Sequence, residues 1–229
     1  MLSHGNRMMR RTTDHNVTSK FLEAATSAAH LLAAPEVAAN WHNPSALREW
    51  AVSSLAGHLA RQITRLPSQL RLEPPAGTEL ITLLDHYTRV PWTTAPLGSA
   101  VDVNVDRSRL SGDAEAAGGP VIVAQRTADA VAELRHSLPA EPLDRVLYVA
   151  WRGWSLTLED FLITRMLEIV IHIDDLAVSV HVAPPPLPEE PTTVVLALLT
   201  RLATRRHGEA AVLRALSRQE RAPATIAAF

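Results

Sequence analysis

Residues 165–180 read RMLEIVIHIDDLAVSV. Ile169, Val170, Ile171, Ile173, Leu176, Ala177 and Val178 make the stretch apolar nearly all round, the signature of a buried helix. Four residues break the pattern: Glu168, His172, Asp174 and Asp175. At about 100° per residue, Glu168 and His172 (i, i+4) fall about 40° apart, and Asp175 lies near the same line. Arg165 and Ser179 extend that line by one turn each way, whereas Asp174 points about 100° off it, toward solvent or a neighbouring arginine. The helix is therefore apolar with one polar stripe, and the stripe faces other helices or an internal cavity.

Buried acids and imidazoles need partners, and three readings of the stripe stay open. Glu168, His172 and Arg165 form an internal ion-pair network; or the stripe is the wet face of a half-buried helix; or Glu168 and His172 converge on one metal ion, as side chains at i and i+4 can. A metal needs a third ligand. The segment SLAGHLARQ (54–62) offers His58, on a face shared with Ala51, Leu55 and Gln62. Small Ser54, Ala56 and Gly57 permit close helix approach; a glycine inside a helix costs about 1 kcal/mol against alanine, so a packing reason is expected for Gly57. Two histidines and one carboxylate with open positions suit catalytic zinc, and also Fe2+, Ni2+ or Mn2+. Asp175 would orient an imidazole from behind.

Helical periodicity dominates the rest of the chain. Helices are expected over Val17–Leu32, capped by Thr18 or Ser19; from Ser45, as N-cap, to a stop at Pro67; over Thr78–Arg89; on both sides of the break at Gly118–Pro120; over Thr157–His181, with Thr157 as N-cap; and over Thr192–Arg205 and Glu209–Arg218, split by Gly208. Residues 91–112 are the least readable, and within them SAVDVNVD (99–106) reads equally as a strand or as the start of a helix. DRVLYVAWRGW (144–154) looks extended but has no evident partner, so a loop lying on the helices is expected. The fold class is all-α: a four-helix bundle over 17–186, after a flexible 1–16 and before a short helical extension over 187–229.

Composition narrows the functions. The chain has 229 residues, enough for one sizeable core. Hydrophobic residues make up 47% and charged residues 20%, a globular balance. Net charge is −2, so no nucleic-acid partner is expected. With no cysteine, no disulfide or protein thiolate is available, and thiol chemistry would need an external thiol. No apolar run reaches 18 residues and no secretory h-region follows the first basic residues, so no membrane partner and a cytoplasmic location are expected. AAGGP lacks the context of a phosphate loop, and no nucleophile-elbow motif is present. His42, His86, His136 and His207 read as surface residues. Trp151 and Trp154 wall a pocket or anchor a loop. Arg61, Arg152 and Arg165 pair with carboxylates, either of a ligand or within surface and structural salt bridges.

SSLAGHLAR (53–61) followed by TRMLEIVIHIDDLAVSV (164–180) resembles the metal-binding domain of mycothiol-dependent maleylpyruvate isomerases, in the wider DinB-like (YfiT-like) superfamily of thiol S-transferases. The shared pattern is a histidine in an early helix, then E-x-x-x-H-x-x-D in the last bundle helix. LEAATSAAHLL, NPSALREWAV and the C-terminal stretch also look like actinobacterial members, so the resemblance runs over roughly 17–229. It implies a DinB-like bundle; His58, Glu168 and His172 as ligands of a divalent metal, usually zinc; Asp175 as the accompanying aspartate; and mycothiol as cosubstrate. Arg61 and Arg165 would meet a carboxylate of the thiol or substrate. It further implies a transferase or isomerase acting on a small electrophile, and a homodimer. The segment after Pro191 is short beside the isomerase's own C-terminal domain, which bears on isomerisation itself. A non-catalytic metal-binding or small-molecule-binding bundle, and a purely structural helical protein, are the rival functions.

Overall fold

The computed structural model describes residues 3–90 and 102–229, with side chains from 17–90 and 107–229. The chain is mostly helical. Its helices are α1 (Ser3–Leu32), α2 (Pro35–Ala39), α3 (Val52–Thr64), α4 (Leu66–Gln69), α5 (Leu83–Arg89), α6 (Asp102–Ala116), α7 (Pro120–Ser137), α8 (Leu158–Ser179), α9 (Glu189–His207) and α10 (Glu209–Ser217). One hairpin, β1 (Val146–Val149) with β2 (Trp154–Thr157), precedes α8. Among the described residues, no helix is long and apolar enough to cross a membrane.

The core is continuous. α1 packs on α8 and α7, and α3 packs on α8, α7 and α6, so α1, α8, α3 and α7 touch in a closed ring. Phe21, Ala24, Ala25 and Ala28 of α1, Leu55, Leu59 and Ile63 of α3, Leu134 of α7, and Leu162, Met166, Ile169 and Ile173 of α8 are all buried within it. α9 lies against α8 and α1, and its Val195, Leu198 and Leu202 join the same core.

α3 and α6 approach closely at a pair of glycines. A Cβ built on Gly57 would land against the Gly112 carbonyl and 3.1 Å from the Ala116 methyl; one on Gly112 would meet the Ser54 carbonyl. Gly57 is thus required by packing, as expected, and its partner is the second glycine. Ser54 Oγ donates to Asp113 (2.5 Å) and Thr64 Oγ1 to Glu115 (3.0 Å), which pins the two helices at either end of the contact.

α8 begins where the sequence indicates. Thr157 Oγ1 accepts the Asp160 amide at 3.1 Å, and Glu159 and Asp160 complement the helix dipole. The Gly118–Pro120 break also holds: Gly119, at φ 84°, ends the turn after α6 and Pro120 opens α7.

Six expectations are corrected. α1 reaches back past Thr18 and Ser19, so neither caps it. α3 starts at Val52, because Ser45 closes a local turn with Leu47 and its amide donates to the Trp50 carbonyl (2.8 Å), with Glu49 at φ 65°. α5 starts at Leu83, where Thr82 caps by accepting the Asp85 amide. The extended segment is no loop: Val146–Val149 pairs antiparallel with Trp154–Thr157 across a turn containing Gly153, and Leu80 bridges to Ser155 on the other edge. His86 is buried, not at the surface. Of the stretch 99–106, residues 99–101 lie outside the described residues, as do the side chains of 1–16, while 102–106 are helical, which corrects the strand alternative there.

Candidate metal centre

α3 and α8 cross so that His58, Glu168 and His172 offer ligand atoms all within 4.8 Å of one another. Glu168 Oε2 lies 3.2 Å from His58 Nε2 and 3.4 Å from His172 Nε2. The two imidazoles stand perpendicular, centroids 4.8 Å apart. Trp50, brought in by the loop before α3, closes over His58 at 5.5 Å, also edge-to-face. His58 is 7% exposed.

His172 is oriented from behind. His172 Nδ1 donates to Asp175 Oδ2 at 2.9 Å, which leaves Nε2 as the nitrogen that faces Glu168 and His58. The Asp175 carbonyl accepts from Ser179 Oγ (2.6 Å), and Ser179 Oγ accepts the Ala46 amide (2.8 Å), so the loop bearing Trp50 is tied to the same turn of α8. On the α3 side, Gln62 Nε2 donates to the His58 carbonyl (2.8 Å) and sits 3.2 Å from His58 Nε2. Arg165 donates to Gln62 Oε1 at 2.5 Å and rests on the Phe161 ring. His58 Nδ1 is buried with no hydrogen-bond partner.

Electrostatics divide the three groups. Burial by itself would raise the Glu168 carboxyl, but hydrogen bonds from His172 and His58 outweigh it and hold the carboxyl well below the usual range. Burial also works against a charge on His172, yet Asp175 and Glu168 raise it to about 9. His58 is pushed down by burial, against the pull of Glu168, with the neighbouring His172 adding to the depression. Near neutral pH the trio is an anionic carboxylate between one imidazolium and one neutral imidazole. Two imidazole nitrogens and one carboxylate oxygen form a donor set that fits zinc and the other borderline divalent cations.

Around this core the field is positive. Among the described residues neither Arg61 nor Arg165 has a carboxylate partner within ion-pair distance, and Arg61 Nε is buried with no acceptor. Burial, then Arg65 and Arg165, lower Arg61 to about 10. Burial, then Arg107 and Arg165, lower Arg152. Arg165 reaches the trio through Gln62, while no contact joins Arg61 to it. Trp151 packs on Phe161 at 6.5 Å, and Trp154 Nε1 donates to His86 Nδ1 at 3.1 Å. Asp174 is exposed, as expected, and so are His42 and His136; His207 is half-buried against the Ala227 carbonyl.

Three residues are not legible in the sequence: Trp50, Gln62 and His86. Gln62 shares a face with His58, a signal that was present but carried no role. His86, held at about 3 by burial and then by Arg165 and Arg152, depends on Trp154, which lies 68 residues away and cannot be inferred from local pattern. Since an indole N–H only donates, His86 Nδ1 must accept and its proton sits on Nε2.

No curated protein and no solved structure matches the chain. A family model described as the mycothiol maleylpyruvate isomerase N-terminal domain matches residues 21–177, which include His58, Glu168, His172 and Asp175. The match spans more than half of the sequence, and the chain belongs to the mycothiol maleylpyruvate isomerase N-terminal domain family.

Proposed function

We propose that the chain is a metal-dependent enzyme that uses a low-molecular-weight thiol, mycothiol, to transfer to or isomerise a small electrophile. His58 Nε2, His172 Nε2 and a Glu168 oxygen hold one divalent cation, most readily zinc, with Fe2+, Ni2+ and Mn2+ as alternatives the same ligands accept. The observation that carries this is the convergence of the three ligand atoms within 4.8 Å, in a chain of this family. When bound, the cation would supply Lewis acidity, lowering the pKa of a coordinated thiol so that a thiolate is ready at neutral pH.

The chain's own residues do the rest. Asp175 accepts from His172 Nδ1 and so turns Nε2 toward the cation. Trp50 and the apolar flanks of α8 keep water from the ligands' outer side. Arg61 and Arg165 supply positive charge for a carboxylate of the thiol or electrophile. The ring of α1, α3, α7 and α8 supports a DinB-like four-helix bundle over 17–186, with 187–229 as its helical extension. We extend the proposal to a cytoplasmic homodimer without nucleic-acid or membrane partners.

A second reading has an observation of its own. The 3.2 and 3.4 Å contacts of Glu168 with the two histidines would also suit a purely structural ion-pair network. Metal analysis of protein purified without chelator separates the two. The proposal expects about one cation per chain, lost in His58→Ala; a His58→Ala protein that kept stoichiometric tightly held metal would overturn the assignment. Conjugation of mycothiol to a model electrophile by the metal-loaded protein, above the uncatalysed rate, separates an enzyme from a non-catalytic metal-binding bundle.

A further inference from the structure

The environment of Gln62 contains a conflict of valence. Its orientation is fixed from both ends. Arg165 can only donate, so the atom it meets is the carbonyl Oε1; the His58 carbonyl can only accept, so the atom it meets is Nε2. One amide hydrogen is therefore used on the His58 carbonyl, and the other faces His58 Nε2 at 3.2 Å. That nitrogen is also 3.2 Å from Glu168 Oε2. The carboxylate requires a proton on Nε2, and the amide requires a lone pair there. His58 cannot satisfy both.

A cation held by His58 Nε2 and Glu168 removes both partners at once. The lone pair goes to the cation, and the second amide hydrogen of Gln62 is left directed at the space beside His58. Gln62 is buried, so solvent does not readily take that hydrogen. Three protein ligands would leave a cation positions to fill, and a buried donor beside His58 would stabilise an anionic occupant there far more than it would in water.

We propose that Gln62 is a binding residue of the thiol cosubstrate: its second amide N–H donates to the thiolate sulfur seated beside His58, and Arg165 fixes the amide in that direction. This rests on the cation reading above and adds to it a contact made by the chain itself.

The test reads binding, not turnover. Wild-type, Gln62→Leu and Arg165→Met proteins are loaded with Co2+, whose affinity is measured by competition with a chelator. Each is then titrated with 2-mercaptoethanol, followed by sulfur-to-cobalt charge-transfer absorption. Gln62→Leu is expected to hold Co2+ within about threefold of wild type and to bind the thiol about tenfold more weakly, the loss of one hydrogen bond to an anion. Arg165→Met leaves the amide in place but free to rotate, and is expected to lose about threefold. Should Gln62→Leu fail to fold, Gln62→Met keeps the chain length without the amide and gives the same readout. Thiol affinity unchanged in the variant, or Co2+ and thiol affinity falling by the same factor, overturns the assignment while leaving the cation reading intact. A wild-type protein that takes up no Co2+ overturns both.

Discussion

Loading the site should expel a proton. In the metal-free protein His172 is raised to about 9 by Asp175 and Glu168 despite its burial, Glu168 is already ionised, and His58 is held neutral by burial. A cation on His172 Nε2 requires that nitrogen to be deprotonated. At pH 7 the two pH units up to about 9 make this cost about 3 kcal/mol, roughly a hundredfold in apparent affinity. The logarithm of the dissociation constant should thus fall by about one per pH unit as pH rises toward about 9, then level off. Calorimetry at pH 7.5 in buffers of different ionisation enthalpy should count about one proton released per Zn2+. Asp175→Asn sharpens the test. It removes a charge that raises His172, so proton release at pH 7.5 should drop, while affinity above pH 9 weakens by about tenfold or more through loss of the orienting partner. The variant's deficit is therefore smaller at pH 7 than at pH 9.5. Binding without proton release at pH 7.5, or a pH-independent dissociation constant, would refute the charge assignment.

The same groups set the stability of the metal-free protein. His172 has a folded value above its unfolded one, so its contribution is full below about 6.5 and disappears as pH rises through about 9; a thermal melt should fall over that window without metal and not with Zn2+. Glu168, depressed on folding, stabilises above its unfolded value of 4.5 and loses this as pH falls through the folded one, and His86, held at about 3, adds destabilisation below pH 6.5; acid should therefore unfold the protein cooperatively. Gly57→Ala should lower the melting temperature, because overpacking against Gly112 and Ala116 costs about 1–3 kcal/mol and exceeds the gain of about 1 kcal/mol in helix propensity; an unchanged or raised melting temperature would count against the α3–α6 contact. Nitrogen-15 spectra should find His86 as the Nε2–H tautomer with no titration between pH 8 and 5, and Trp154→Phe should cost about 1–3 kcal/mol by orphaning its Nδ1.

What the sequence made legible follows from the range of each signal. The Glu168, His172 and Asp175 stripe is a property of one helix and its period, so it could be read directly, as could the Thr157 cap that sets the start of α8. His58 required a second helix, and its residue type and face sufficed. Gly57 announced a close approach but not its partner, because nothing local ties it to Gly112 of α6. The hairpin is hidden because Gly153 looks like the end of a strand, whereas it turns the chain back onto its own partner. The loop before α3 was read as helix because Ser45 after Pro44 is a good cap; its hydroxyl is used in a turn with Leu47, and Trp50 is drawn inward to His58.

The polar network also bears on why a helix as apolar as α8 keeps these groups. One carboxylate oxygen serves two imidazoles, and one amide hydrogen of Gln62 opposes a nitrogen that must carry a proton for Glu168. Each buried unsatisfied group costs about 1–3 kcal/mol, and a structural network selected for stability alone would be improved by apolar substitution at such positions. A cation between the three ligand atoms would give His58 Nε2 and Glu168 a common partner and free Gln62 for a ligand. The groups that are poorly matched to one another are well matched to a divalent ion, and that asymmetry favours a binding site over an internal salt bridge.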